Sequence, residues 1–332
     1  MNEIKTILSE AKNIVITTHK SPDGDAIGSS LALFHFLKKL NKQVTVIVPD
    51  SFPKFLNWME GTGEILHYDK QKEQAIPIIE KADLIFSLDY NGLSRIGDLA
   101  DPIAASNAIK VVIDHHQHPQ DFAQHYIVDT ESCSTAQLVY EFIENLGGLQ
   151  QMNSVIGACI YCGIMTDTGS FRFPSTTSKT HQIIANLIDL GVNGSQIHEQ
   201  VYDTYSMNRL QLLGYALTEK MKVFPKLNAA YISLSQAELE RFNFHKGDTE
   251  GLVNYPLSID GIKFSALMTE KESDISISFR SKGNFYVNKL ASEYFDGGGH
   301  IYAAGGRSLL TLEETIKKME QVIQHYKSEL IA

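Results

Sequence analysis

Four short segments bring acidic residues and histidines together at spacings that suit divalent-cation chemistry. The first, TTHKSPDGDAIGS, places His19, Asp23 and Asp25 in one loop between a strand and a helix. One aspartate would suffice to cap that helix, and Pro22 with Gly24 would shape the turn. Two carboxylates and an imidazole exceed that need, and without a cation the crowding is repulsive. The second segment, SLDYN, ends a strand at Asp89 and taken alone reads as an Asx turn. The third, VVIDHHQH, runs an apolar strand into Asp114, His115 and His116. Neighbours on an extended chain point to opposite sides, so one histidine can face a metal while the other addresses a substrate. The fourth, GIMTDTGSFRFPST, puts Asp167 in a polar loop after a helix.

Asp23, Asp25, Asp89 and Asp167 with His19 and His115 make an oxygen-rich donor set that suits Mn²⁺ or Mg²⁺ and tolerates Zn²⁺ or Fe²⁺. Four carboxylates neutralise two divalent cations. Ions about 3.5–4 Å apart require at least one carboxylate to bridge them. A fifth feature, FDGGGHIYAAGG over Phe295–Gly306, offers Gly297, Gly298 and Gly299 for close backbone approach to an anion, with His300 beside them. Arg280, in SFRS, supplies a bidentate phosphate donor. Each of these two has a plainer reading, a flexible turn and a surface arginine, and they gain weight from each other.

The elements that must position these groups follow from periodicity. Short β-rich runs at Asn13–Thr18, Val44–Val48, Leu84–Leu88, Val111–Ile113 and Tyr126–Val128 alternate with helical segments, among them Ser134–Leu146, Met152–Ile164 and Ser178–Leu190. That alternation predicts an α/β fold with a mainly parallel, Rossmann-like sheet and flanking helices, and it places the acidic segments at strand ends, where open α/β sheets bind ligands. After Gly191, polar helices Ser195–Asp203 and Ser206–Met221 read as a helical connector. Strands Ala229–Leu234, Ile262–Thr269 and Asp274–Arg280, helices at Tyr286–Phe295 and Thr311–Leu330, and the glycine-rich stretch between those helices predict a smaller α+β domain. The expected domains are residues 1–191, a connector at 192–221, and 222–332.

The chain has 332 residues, with 29 Lys+Arg against 39 Asp+Glu and a net charge of −10. That length accommodates two domains with separate cores. The acidic balance argues against a coat on long nucleic acid, which depends on many cationic phosphate contacts. A small anion in a locally positive pocket stays compatible with it. Three cysteines, Cys133, Cys159 and Cys162, form neither a disulfide framework nor a four-sulfur zinc site. The segment MNEIKTILSEAKN reads as a capping helix and not as a leader, and no apolar run approaches the roughly 18 residues of a membrane span. The expectation is a cytoplasmic protein without membrane attachment, monomeric or homodimeric. His35, His67, His181 and His325 are given no role.

The set His19-x-x-x-Asp23-x-Asp25-Ala26, Asp89, Asp114-His115-His116, Asp167 and Gly297-Gly298-Gly299-His300 resembles, in order and over nearly the whole chain, the DHH phosphoesterases with their associated C-terminal domain. Within them it is most similar to the nanoRNase/pAp phosphatase branch. The resemblance implies a metal-dependent hydrolase of short oligoribonucleotides and of 3′-phosphoadenosine 5′-phosphate (pAp), acting through water activated by two cations. It implies one ion on His19, Asp23 and Asp89, and the other on Asp25, Asp89, His115 and Asp167, with Asp89 bridging. Asp114 would orient the histidines and His116 would face the substrate phosphate. Arg280 and His300 would bind the nucleotide, with Arg95 a further candidate. The competing readings are a cyclic or linear dinucleotide phosphodiesterase and a non-catalytic nucleotide-sensing module.

Overall fold

The computed structural model describes residues 2–332, so Met1 lies outside the described residues. The chain divides into two compact units, Met1–Thr204 and Tyr205–Ala332.

The first unit runs α1 (Asn2–Glu10), β1 (Asn13–Thr17), α2 (Gly24–Lys39), β2 (Gln43–Val48), β3 (Leu66–His67), α3 (Tyr68–Glu80), β4 (Leu84–Leu88), α4 (Ala100–Ala105), β5 (Ile109–Asp114), β6 (His125–Val128), α5 (Thr135–Asn145), α6 (Ser154–Asp167), α7 (Ser178–Asp189) and α8 (Gly194–Tyr202). Its six strands form one sheet in the order β3-β2-β1-β4-β5-β6, parallel throughout. Alternation along β1 divides the core: Ile14 and Ile16 join the α2, α5 and α6 layer, while Val15 faces the layer of α3 and α4. All five residues of β4 are buried, as a central parallel strand covered on both faces requires. The strand order reverses direction between β1 and β4, so the loops leaving those two strands open onto the same crevice.

Helix α2 is buried along most of its length and packs tightly on α6, which is apolar all round. Glycines make that approach possible. A side-chain carbon on Gly28 would stand 2.5 Å from the Cys159 carbonyl oxygen, and one on Gly24 would overlap Thr166. Cys159 and Cys162 lie inside this contact, and burial raises both thiols, Cys159 to about 12.

The second unit runs α9 (Met207–Tyr215), β7 (Met221–Phe224), β8 (Ala229–Leu234), α10 (Gln236–Arg241), β9 (Phe264–Glu270), β10 (Ile275–Ser281), α11 (Val287–Tyr294), β11 (Gly298–Gly299), β12 (Ala303–Ser308), α12 (Leu312–His325) and α13 (Lys327–Ile331). Its sheet has the order β11-β12-β10-β9-β8-β7, with only β8–β9 parallel. One core contains Phe264, Phe279, Phe285 and Phe295 with Met319 and Val322 of α12; a second contains Leu212, Ile232 and Leu252.

Several expectations are corrected. The glycine-rich stretch, for which a flexible turn is the plainer reading, is largely ordered pairing: β11 and β12 form a hairpin within it, and Gly297 and Gly299 lie against the β12 backbone where any Cβ would clash. The terminal helix breaks at Tyr326 into α12 and α13. The stretch expected as a connector is divided, with α8 in the first unit and α9 in the second, and its end, from Met221, is strand β7. No helix among the described residues is long and apolar enough to cross a membrane.

Candidate metal centre

Four chain segments converge beyond the ends of β1, β4 and β5. Asp89 follows the last residue of β4 and has φ 64°, a left-handed backbone that aspartate tolerates better than most residues. Its amide donates to the Ile113 carbonyl at 3.1 Å, which turns its side chain into the crevice. Asp89 Oδ2 lies 3.4 Å from His19 Nε2, and Oδ1 lies 3.5 Å from His115 Nε2. One carboxylate therefore addresses both imidazoles, one oxygen to each.

Each ring is oriented through its other nitrogen. His19 Nδ1 donates to its neighbour Lys20's carbonyl at 2.9 Å, and His115 Nδ1 to the Ser132 carbonyl at 3.2 Å. A carbonyl only accepts, so Nδ1 keeps its proton, and once the ring is neutral its Nε2 lone pair faces the crevice. Around His115 Nε2 stand Asp167 Oδ2 at 3.3 Å and Asp25 Oδ2 at 3.9 Å; around His19 Nε2 stands Asp23 Oδ1 at 3.9 Å. Donor atoms ~2.1 Å from a common ion lie about 3–3.4 Å from one another. The shorter of these separations have that spacing, so the residues fit a divalent cation.

The carboxylates are held by helix ends. Asp23 is the N-cap of α2, accepting from the Asp25 and Ala26 amides at 3.1 Å. Asp25 does not cap its own helix. It accepts from Thr135 N at 2.7 Å and Ala136 N at 2.8 Å, the first amides of α5, a site suited to an anion. Thr135 Oγ1 also donates to Asp89 Oδ1 at 3.0 Å. Asp167, expected in a loop, is instead the last residue of α6. That helix outruns the expected one because its end stays packed against α2.

Burial would raise Asp89, but the His115 and His19 imidazoles outweigh it and hold the carboxyl well below its usual range. Burial, with Asp89 and Asp167 nearby, raises Asp25; burial lifts Asp167 to about 7, against the pull of His115. Burial would lower His19, yet Asp89 and Asp23 hold it at about 9, and Asp89 and Asp167 likewise raise His115. With protein charges alone, protonated imidazoles balance the carboxylates. A divalent cation on the same atoms would take over that balance and displace the protons.

His116 points elsewhere. Its Nδ1 lies 2.7 Å from Asp114 Oδ1 and 3.7 Å from Asp89 Oδ1, and its ring stands edge-on to His115. Asp114 is fully buried, and its Oδ2 has no hydrogen-bond partner. Arg95 is exposed and close enough for its charge to oppose protonation of His19; its carbonyl accepts from Lys20 N at 2.8 Å. The structure thus brings His19, Asp23, Asp25, Asp89, Asp114, His115, His116, Asp167 and Arg95 to one crevice of the first unit. Thr135 and the Ser132 and Lys20 carbonyls join them. The Ser-Thr pair ahead of an apolar helical run signals a helix start but not a role in this centre.

In the second unit Arg280 is half-buried on β10, and its Nη1 donates to its neighbour Phe279's carbonyl at 2.9 Å. His300 begins the tight turn joining β11 to β12, exchanging backbone bonds with Ala303 at 2.8 and 3.2 Å. Of the three glycines, only Gly298 has open space where a side chain would stand.

Residues 13–164 match the DHH family N-terminal domain and residues 226–326 match the DHHA1 domain, one in each unit. The bifunctional oligoribonuclease and PAP phosphatase NrnA of Bacillus subtilis is 28% identical over 304 residues, covering 91% of each chain. The protein of the same name from Thermus thermophilus is 28% identical over 319 residues, covering 96% of this chain and 90% of its own. The crystal structure of an exopolyphosphatase-related protein from Bacteroides fragilis superposes with a TM-score of 0.95 at 45% identity, covering 100% of this chain and 97% of that one.

Proposed function

The chain is a DHH-family phosphoesterase with a C-terminal DHHA1 domain, and from that premise we propose that it hydrolyses short oligoribonucleotides to mononucleotides and pAp to AMP. Two divalent cations, Mn²⁺ or Mg²⁺, would serve the reaction: His19, Asp23 and Asp89 would hold one, and Asp25, Asp89, His115 and Asp167 the other. The observation that carries this reading is Asp89, whose two oxygens each address a different metal-competent imidazole at 3.4 and 3.5 Å.

When bound, the cations supply Lewis acidity toward phosphoryl oxygens and make water a nucleophile near neutral pH. The protein supplies orientation and proton handling. Asp114 accepts from His116 Nδ1, which fixes the ring and leaves Nε2 for the leaving oxygen of the substrate. Arg95 offers a forked cation to a non-bridging phosphate oxygen at the rim of this acidic crevice. From the second unit, Arg280, His300 and the Gly297–Gly299 backbone are assigned to the rest of the nucleotide.

The test is a parallel assay of pAp, RNA dimers to pentamers, cyclic dinucleotides and pyrophosphate with added Mn²⁺. The first two are expected to turn over at least about tenfold more efficiently by kcat/KM than the others. A preference for cyclic dinucleotides would move the substrate assignment, and absence of hydrolysis on all four would overturn the catalytic one.

A further inference from the structure

Three consecutive residues just beyond Asp167 have left-handed backbones: Gly169 (φ 55°), Ser170 (φ 62°) and Phe171 (φ 63°). The first is what the helix end demands. Gly169 N donates to the Thr166 carbonyl at 3.1 Å and Ser170 N to the Met165 carbonyl at 2.8 Å, the bond pair of a helix closed by a left-handed glycine. The next two go beyond that requirement. Each carries a Cβ, for which the left-handed conformation costs about 1–2 kcal/mol, and a bulky residue there is an outlier. Such strain persists only where surrounding structure over-determines it.

The determinants are specific. Thr168, fully buried, donates from Oγ1 to the Ile164 carbonyl at 2.6 Å and accepts from Phe171 N at 3.0 Å; its carbonyl accepts from Arg172 N and Phe173 N. Ser170 Oγ lies 2.8 Å from His198 Nε2, and His198 Nδ1 lies 2.8 Å from the Gly194 carbonyl. The carbonyl only accepts, so Nδ1 carries a proton, and in that tautomer Nε2 accepts from the Ser170 hydroxyl. The Phe171 ring lies among Tyr161 of α6, His181 of α7 and His198 of α8, at centroid distances of 5.7, 6.0 and 6.3 Å. Three helices therefore grip a turn that begins two residues after a candidate ligand.

We propose that Ser170 and His198 are positioning residues for Asp167. Their hydrogen bond locks the left-handed turn, and the turn fixes the end of α6 from which the Asp167 carboxylate reaches to 3.3 Å from His115. The inference rests on the two-cation reading above. Neither side chain is assigned to metal or substrate; their effect passes through the backbone of residues 168–171.

The experiment uses the full-length protein as wild type and as Ser170→Ala, Ser170→Gly, His198→Phe, the Ser170→Ala/His198→Phe double variant and Asp89→Asn. Calorimetric Mn²⁺ titration after chelator treatment is read with Tm and with kcat and KM for pAp. Ser170→Ala and His198→Phe are each expected to weaken Mn²⁺ binding about tenfold, the size of loss typical for groups that orient metal ligands. The double variant should be no weaker than either single one. Ser170→Gly should recover most of the loss, since glycine holds a left-handed conformation without the hydroxyl. KM for pAp at saturating Mn²⁺ should stay within about twofold. Affinity and kcat of Ser170→Ala equal to wild type would overturn the proposal, as would a Ser170→Gly variant as impaired as Ser170→Ala. Should Ser170→Ala fail to fold, the comparison of Ser170→Gly with His198→Phe decides: equal losses overturn the proposal. Wild type that binds no Mn²⁺, or Asp89→Asn that binds it equally well, would instead remove the cation reading and this inference with it.

Discussion

A Cβ on Gly163 would stand 2.8 Å from Asp25 Oδ1 and 2.5 Å from Ala136 Cβ. Two functional demands meet at that glycine: α6 must approach α2 and α5 closely, and Asp25 must keep its carboxylate on the α5 amides. Gly163→Ala is expected to destabilise the protein by about 1–3 kcal/mol through overpacking, although alanine is the better helix former. Because the displaced atom belongs to a candidate ligand, Mn²⁺ affinity should fall as well. Urea unfolding and Mn²⁺ titration of the same preparation check both; lost stability with unchanged affinity would separate the packing from the site.

Asp89→Asn keeps a residue type tolerant of the left-handed backbone and keeps an acceptor for the Thr135 hydroxyl. It removes one negative charge from a cluster in which Asp25 and Asp167 are already raised. Turnover should drop at least ~100-fold, beyond the loss typical for groups that merely orient a ligand. The Tm of chelator-treated protein should fall, since the two imidazoles that hold Asp89 ionised lose that counter-charge. Activity above a tenth of wild type would contradict a bridging role.

Much of this site is legible in the chain because β-strands deliver it. Asp89 and Asp114-His115-His116 follow apolar runs whose length and β-branching identify strands, and in a parallel sheet the residues after strand ends share a crevice. Backbone partners are not legible. The Lys20 and Ser132 carbonyls that orient His19 and His115 would be present whatever residues stood there. Nor does local sequence tie Asp25 to Thr135, 110 positions away. Asp167 is misplaced by local reading because Thr166 and Asp167 look polar, yet their helix continues against α2. The β11–β12 hairpin escapes because AAGGRS lacks the β-branched residues that mark strands, and pairing with β10 supplies what propensity does not.

Asp114→Asn tests proton handling apart from metal binding. The 2.7 Å contact to His116 Nδ1 survives in shape but loses its charge, so the imidazole is a weaker proton carrier. The amide NH₂ would also enter the buried site where Oδ2 has no hydrogen-bond partner, at a cost of about 1–3 kcal/mol. We expect kcat to fall roughly 10–100-fold with KM for pAp within about twofold. Steady-state kinetics decide: a raised KM at unchanged kcat would place His116 in binding and not in turnover.

Stability of the second unit should depend on pH through Glu238. Its carboxylate receives Tyr215 Oη at 2.6 Å, Lys220 Nζ at 2.7 Å and Ser235 N at 2.8 Å, joining the end of α9 to the capping box of α10. Burial pushes the carboxyl up, but Lys220, Ser235 and Tyr215 outweigh it and bring it to about 2, against 4.5 for the free group. A carboxyl depressed by folding binds its proton more readily in the unfolded chain. Its contribution is therefore complete above about pH 5 and disappears as pH falls through 4.5 toward 2. The full difference corresponds to at most about 3 kcal/mol; the side chain is 19% exposed, which lowers it. Glu238→Gln retains the cap acceptor and removes the charge. Wild type should exceed it in unfolding free energy by about 1–2 kcal/mol at pH 7, and the gap should narrow to about half or less by pH 3, closing only toward pH 2. Urea denaturation of both proteins at pH 7, 5, 4 and 3 measures it, and a gap that stays constant across that range would show that shape and not charge holds α9 to α10.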